Sequence, residues 1–391
     1  MSLVRIVYFS DLRTHQLDAH DNQTFADNLY TNADFSYFFS PGKSQTSGRP
    51  IAELFKFALF TAFGNSPVFF HLATVALYLL ASLLLAWLYY RIHNDLPLAL
   101  LGALLFLIGV SHFQAIHHIS AIDYPLALIL IILAALSFDR YLSERAPLAL
   151  LTYPALLVLA SAAHASALFL IPFCLYWAHQ RDLALRGSWL WALLATAIML
   201  PATLIITAHT TTTWAAIGNR MGQGLFDAIV DMSELYLWFA GRLLTTAHWL
   251  PIKIYALESW EIYPRLFVVA ALAWLAIFHR SSTGLWGAWT LLSLSPFALM
   301  TRDVIFIHPA GTSRYFLYIA SAGSALLLAF TARIRYTPGG PATATWGHSW
   351  HRTCPRTEPI QLCRSQTRRS ALTLLLGAQP YLLRRLSRRR T

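Results

Sequence analysis

Residues 66–90 read SPVFFHLATVALYLLASLLLAWLYY, a run without a single Asp, Glu, Lys or Arg. At about 1.5 Å of helix per residue, a run of this length matches a hydrocarbon core about 30 Å thick. The shortest of the other runs would need flanking residues to cross. The pattern predicts an all-α, polytopic membrane protein with about nine transmembrane helices. The other apolar runs are residues 96–111, 124–138, 147–163, 165–178, 188–208, 265–278, 283–300 and 315–332.

The composition excludes a soluble globular domain. Hydrophobic residues make up 57% of the 391 residues and charged residues only 12%, so most of the apolar surface would have no polar counterpart facing water. Lipid is therefore the expected solvent, and membrane lipids are expected partners. The three cysteines include no CxxC pair and give no sign of a disulfide framework or of a cysteine metal site.

The net charge of +11 belongs to the C-terminal tail and does not indicate a nucleic-acid partner. Residues 1–330 contain 17 basic and 17 acidic residues, whereas the last 61 residues contain 12 Arg and one acid, Glu358. Residues 336–391 form a separate basic segment, expected to be disordered and cytoplasmic. Three interpretations stay open: a polybasic anchor on anionic lipids, a disordered tail without a role, and out-of-frame translation.

Arginines occupy alternate links between the apolar runs, which predicts the orientation of the chain. The positive-inside rule places the Arg-bearing links in the cytoplasm. They carry Arg91, Arg140, Arg181, Arg280 and Arg333. The other links, including residues 112–123 and His164, then lie on the outer face. Residues 1–60 are expected to be an outer polar loop with a re-entrant or interfacial segment, and residues 61–335 the transmembrane domain.

An amphipathic helix is predicted within the outer-face segment 209–264. Asp227, Asp231 and Glu234 follow an i, i+4, i+7 spacing and therefore share one helical face. These charges would be costly against lipid, so the helix is expected to lie at the outer interface instead of crossing the membrane.

The first candidate functional residues lie near the N-terminus. Asp18 or Asp21, in an outer loop, could act as a general base toward an acceptor hydroxyl, and Arg49 could bind a phosphate. The alternative is a solvated loop in which Asp and Asn form turns.

The link at residues 112–123 is the second candidate. His112, Gln114 and Asp123 could contact a phosphate or hold a divalent metal, although the spacing matches no established metal motif. The alternative is that the polar residues cap helix ends and meet interfacial water.

Arg314 and Tyr315 form the third candidate, at the outer end of the last apolar run. The Arg could grip a lipid-linked phosphate with two hydrogen bonds. The alternative is an aromatic belt with an Arg anchor. His164, between two runs that nearly abut, is either a ligand contact or a polar turn.

Several short motifs, in this order and between these runs, resemble the bacterial GT-C-type integral-membrane glycosyltransferases. In particular, the chain is similar to the O-mannosyltransferase-like proteins that often carry tetratricopeptide repeats. The resemblance covers about residues 18–333. The motifs are Gly48-Arg49-Pro50, Phe70-His71, the link from His112 to Tyr124, Ala165-Ser166-Ala167-Leu168, and the stretch from Ser313 to Gly323.

The resemblance implies a GT-C-like fold and transfer of a sugar from a polyprenyl-phosphate donor to an acceptor on the outer face. Asp21, or else Asp18, would be the base, and Arg314 with Arg49 would stabilise the phosphate leaving group. His112 would occupy the position of the family's loop histidine. The resemblance also implies a bacterial inner membrane with the active face extracytoplasmic.

Four positions differ from the usual pattern of that family. His20 precedes Asp21 in place of an acidic pair, and Gln114 replaces a Glu. Asp123 lies one residue out of register with the family's Asp, and His164-Ala165 replaces a Lys-Glu pair. A non-catalytic or truncated membrane scaffold is therefore an alternative. A secondary transporter is a weaker one, because the apolar runs contain none of the buried charges that ion coupling uses.

Overall fold

A computed structural model describes a helical protein. The described residues are 38, 49–64, 66–109, 112, 115–116, 119–144, 146–181, 196–197, 224–244, 259–278, 282–298 and 317–336. All of them lie in the first of two units into which the chain divides, residues 1–338 and 339–391. No strand occurs in these ranges, so the all-α prediction is confirmed for them.

The helices follow the apolar runs closely. We number the described α-helices α1 Pro50–Phe63, α2 Pro67–His93, α3 Leu96–Leu107, α4 Asp123–Glu144, α5 Pro147–Ala163, α6 Leu170–Gln180, α7 Leu225–Leu244, α8 Ser259–Phe278, α9 Ser282–Ala298 and α10 Tyr318–Tyr336. Short 3₁₀ helices, Ile119–Ile122 and Ala165–Phe169, precede α4 and α6. The apolar run at 188–208 lies largely outside the described residues.

Local sequence signals set several helix ends. Pro50, Pro67 and Pro147 each lie in the first turn of a helix, where the missing amide hydrogen costs no bond. Asn94 ends α2 in the left-handed conformation, with φ of 52°. The next residue, Asp95, caps α3 by accepting a hydrogen bond from the Leu98 amide at 3.1 Å. Together they turn the chain sharply between α2 and α3.

Helix α4 lies at the centre of the first half of the bundle. It packs against α5 and α2, and most of its side chains are buried. Helix α3 packs between α2 and α10, and α9 packs between α8 and α10. A Cβ on Gly323 of α10 would lie 2.8 Å from the Trp286 carbonyl oxygen, so this glycine permits the close approach of α9 and α10.

Helix α1 lies at the predicted boundary between the outer segment, residues 1–60 with a re-entrant or interfacial part, and the transmembrane domain at 61–335. It packs against α5 and α2. Phe57 packs against Phe38 with ring centroids 5.2 Å apart. The segment is therefore an ordered helix of the bundle at its N-terminal end.

Helix α7 coincides with the predicted amphipathic segment. Leu235, Phe239 and Ala240 are buried against the neighbouring helices, whereas Phe226 and Asp227 are exposed. The Tyr236 hydroxyl donates to the Leu291 carbonyl of α9 at 2.7 Å, which ties the helix to the bundle. One face of α7 is thus packed on the bundle and the other carries both apolar and acidic side chains.

Two of the described helices, α2 and α4, are long and apolar enough to cross a membrane by length and composition. Four further apolar stretches are shorter, between 10 and 17 residues: Leu96–Leu107, Pro147–Ala163, Leu266–Phe278 and Tyr318–Ala332. Several leucines and phenylalanines on the outside of these helices are largely exposed, including Leu83, Leu148 and Phe267. Such a surface is unfavourable in water and suits a lipid environment.

A buried ionic network joins three of the Arg-bearing links. The Asp139 carboxylate is 2% exposed and lies between Arg91 and Arg181. Arg91 Nε and Arg181 Nη2 each approach one of its oxygens at 2.6 Å, and Arg91 also bonds Glu144 at 3.0 Å. Three of the five links that the charge pattern assigned to one side therefore meet at one end of the bundle. We call these four residues the Asp139 network.

Candidate functional site

Helix ends from three parts of the chain meet at the opposite end of α4. Arg49 lies immediately before α1, Asp123 is the first residue of α4, and His164 follows the last residue of α5. These three residues, with Tyr124, form a group that we call the Arg49 cluster. It contains three of the residues predicted as substrate contacts.

An ion pair forms the base of the Arg49 cluster. Arg49 Nη1 contacts Asp123 Oδ2, and the Asp123 side chain is 1% exposed while that of Arg49 is 26% exposed. The carboxylate also benefits from its place at the N-terminus of α4, where the helix dipole favours negative charge. Arg49 can therefore reach solvent or a ligand, whereas Asp123 faces the protein interior.

Tyr124 and His164 complete the cluster with aromatic surface. Their ring centroids lie 4.4 Å apart, and the Arg49 guanidinium carbon lies 5.9 Å from the centroid of the Tyr124 ring. Phe297 of α9 lies on another side of His164, with ring centroids 5.9 Å apart. The cluster thus places the charged side chains of Arg49 and Asp123 beside the aromatic rings of Tyr124, His164 and Phe297.

His164 is held in one orientation and one protonation state. Its Nδ1 accepts the Ser166 backbone N–H at 3.1 Å and lies 2.6 Å from the Ser166 hydroxyl. Burial, and then the charge of Arg49, lower the pKa of His164 well below its usual range. The ring is therefore neutral at ordinary pH, and because Nδ1 is an acceptor its hydrogen lies on Nε2.

A second buried pair, which the sequence analysis missed, lies one turn into α1. Lys56 Nζ donates to Glu53 Oε1 at 3.0 Å, and the Glu53 side chain is completely buried. The i, i+3 spacing was visible in the sequence, but it is equally common on solvated helix faces. Only the packing of α1 against α5 and α2 indicates that this pair is internal.

His112 belongs to a different set of contacts. It is completely buried, with Nδ1 2.9 Å from the Tyr78 hydroxyl and Nε2 2.5 Å from the Ser321 hydroxyl. The rings of Phe106 and Tyr318 pack against it at 4.4 and 4.9 Å. Both ring nitrogens therefore have partners within the protein, and the residue connects the 112–123 link to α2 and α10.

Five of the predicted site residues lie outside the described residues. They are Asp18, Asp21, Gln114, Arg314 and Tyr315. Among the described residues, no group of three or more His, Cys, Asp or Glu side chains could hold a metal ion.

An open apolar cleft lies on the surface of α7, α8 and α9. It has a volume of about 430 Å³, and Tyr236, Leu266 and Ser295 are among the residues that line it. Phe297, two residues after Ser295, contacts Phe239 of α7 with ring centroids 6.2 Å apart as well as His164. Helix α9 therefore contributes one residue to the cleft, Ser295, and another, Phe297, that contacts His164 of the Arg49 cluster.

Comparison with known protein families, with curated proteins and with solved structures finds no match to this chain.

Proposed function

We propose that the chain is a GT-C-like membrane glycosyltransferase that moves a sugar from a polyprenyl-phosphate donor to an acceptor on the outer face. In this proposal eight of the described helices, α2–α6 and α8–α10, together with the run at 188–208, form about nine transmembrane spans. Helix α7 lies at the outer interface. The membrane would be a bacterial inner membrane, with the tail after residue 336 in the cytoplasm.

The observation that carries the proposal is the distribution of charge along α4. Asp123 and Asp139 are separated by about 24 Å of helix, close to the thickness of a hydrocarbon core. The Asp139 end carries Arg91, Arg140 and Arg181, which favours the cytoplasm. The Arg49 cluster would then face outward, at the level where a lipid-linked phosphate lies.

The Arg49 cluster has groups suited to such a donor. Arg49 is partly exposed and can approach a phosphate with its free guanidinium N–H groups. The apolar cleft on α7, α8 and α9 could accept part of a prenyl chain while the phosphate remains at the end of the helices. Arg49 and the cleft would bind the donor. The general base would be one of the outer-loop carboxylates, Asp21 or Asp18.

In the proposed reaction, an acceptor hydroxyl oxygen attacks the anomeric carbon of the donor sugar. The bond from that carbon to the phosphate oxygen breaks, and the polyprenyl phosphate leaves with the electron pair. The hydroxyl proton passes to Asp21 or Asp18. Arg49, with Arg314, would stabilise the charge that develops on the phosphate. Direct displacement inverts the anomeric configuration.

A sugar-transfer assay tests this function. Purified full-length chain is incubated with membrane material and radiolabelled polyprenyl-phosphate sugars, and incorporation is compared among wild type, Asp21→Asn and Arg314→Ala. We expect incorporation by wild type and a loss of at least about 100-fold in each variant, because each removes one element of transition-state stabilisation. Lack of incorporation by folded wild-type chain with every donor tested would contradict the proposal.

A non-catalytic scaffold is the second candidate, and one observation favours it. Asp123 already neutralises Arg49, so the pair could serve only to fix α1 against α4. In that case the Asp21→Asn and Arg314→Ala variants would support the same cellular phenotype as wild type.

A further inference from the structure

Two buried polar atoms of the Arg49 cluster have no hydrogen-bond partner among the residues that the structure describes. They are His164 Nε2 and Asp123 Oδ1, on side chains that are 2% and 1% exposed. More than nine-tenths of buried polar groups in folded proteins have such a partner. Both atoms belong to residues that adjoin Arg49 and Tyr124, so a bound group at this place could satisfy both.

The two atoms have opposite hydrogen-bonding roles. His164 Nε2 carries the ring hydrogen, because Nδ1 accepts the Ser166 amide, and it is therefore a donor. Asp123 Oδ1 belongs to an ionised carboxylate whose other oxygen contacts Arg49, and it is therefore an acceptor. A ligand that fits the cluster must both accept and donate hydrogen bonds.

This requirement distinguishes between the two parts of a lipid-phosphate sugar. The phosphodiester group is a monoanion that offers only acceptor oxygens, and the Asp123 carboxylate would repel it. A sugar hydroxyl both donates and accepts, and neighbouring hydroxyl groups can serve the two atoms separately. The rings of Tyr124 and Phe297 beside His164 provide apolar surface for the C–H groups of a sugar ring.

We propose that Asp123 and His164 form a carbohydrate-binding subsite, in which His164 Nε2 donates to one sugar hydroxyl and Asp123 Oδ1 accepts from another. The subsite deepens the proposed glycosyltransferase function and rests on it for the choice of ligand. Arg49 orients the Asp123 carboxylate and leaves its remaining N–H groups for the phosphate at the edge. His164 is a specificity-determining residue in this arrangement.

The test compares the affinities of the full chain, in lipid nanodiscs, for two kinds of ligand. The first kind is farnesyl phosphate without a sugar. The second kind is farnesyl phosphate bearing mannose, glucose, galactose, N-acetylglucosamine or arabinose. We expect wild type to bind at least one sugar-bearing ligand about tenfold or more tighter than farnesyl phosphate. His164→Phe keeps the ring volume but removes the donor, and should reduce that preference about tenfold.

Two further variants make the result specific. His164→Gln offers an amide N–H and should recover part of the preference, whereas His179→Phe, an exposed histidine on α6, should leave it unchanged. Equal affinity of wild type for farnesyl phosphate and for all five sugar-bearing ligands would overturn the subsite. So would a preference that survives in both His164 variants.

The subsite and the proposed function can fail separately. A sugar preference that depends on His164, with no transfer in the incorporation assay, would support the subsite and contradict the enzyme. Transfer by wild type with a preference that is unaffected by His164→Phe would support the enzyme and contradict the subsite.

Discussion

Replacing Asp139 by Asn is expected to lower the free energy of unfolding by about 3–5 kcal/mol, which is the usual cost of removing one partner from a buried ion pair. The change keeps the shape of the side chain but removes the charge that faces Arg91 and Arg181 at 2.6 Å. Arg91 and Arg181 would then lie close together with no carboxylate between them to neutralise their charges. The melting temperature of the chain in detergent should fall on the order of 10 °C.

The matched control for this prediction is Glu144→Gln on the same helix. Glu144 also bonds Arg91, but its side chain is 47% exposed and water can replace the interaction. We expect a loss of less than about 1 kcal/mol, as for other solvated pairs. If Asp139→Asn melted at the wild-type temperature, the Asp139 network would not be the stabilising contact between these links.

Replacing Arg49 by Ala is expected to reduce sugar transfer by about 100-fold or more. The loss of one positioned donor at a developing negative charge commonly has an effect of this size. Arg49→Lys retains the charge beside Asp123 but loses the planar pair of N–H groups, so an intermediate rate is expected. Incorporation of labelled sugar measures both variants, and Arg140→Ala at the far end of α4 is the control.

A double variant separates catalysis from stability at this position. Arg49→Ala alone leaves Asp123 buried without its partner and should also destabilise the fold. Arg49→Met with Asp123→Leu removes both charges, and such apolar replacements often restore stability. We expect this double variant to melt near the wild-type temperature and still to transfer no sugar. A stable double variant with full transfer would show that the ion pair is only structural.

The helices were largely predictable because long apolar runs can fold in few ways. The 66–90 run corresponds to α2, Pro67–His93, and both ends agree within a few residues. The bounds of α1 were not predicted, because its 14 residues include Glu53 and Lys56 and so form no charge-free apolar run. Their mutual pairing within the bundle offsets part of the cost of burial, and sequence spacing alone does not reveal it.

The candidate site was predictable in its residue types but not in its partners. Arg49, Asp123 and His164 were singled out separately, from segments 41 to 115 residues apart, and the structure brings them into one cluster. His112 was an equally good candidate for binding a ligand from its sequence. In the structure, however, both of its ring nitrogens hydrogen-bond to the hydroxyls of Tyr78 and Ser321. That difference depends on which helices pack together. A single sequence does not specify those long-range contacts.

The most direct test of the proposed transmembrane orientation determines on which side of the membrane each end of α2 lies in intact cells. Ser66 and Leu96 flank this helix, at the ends near α1 and α3. Each is replaced by Cys in a chain whose three native cysteines are replaced, and a membrane-impermeant maleimide is added from outside. If the Arg49 cluster faces outward, we expect rapid labelling of Ser66→Cys from outside. Leu96→Cys should be labelled only after the membrane is opened. Labelling of both from outside, or of Leu96→Cys alone, would contradict a transmembrane protein with an outward-facing Arg49 cluster.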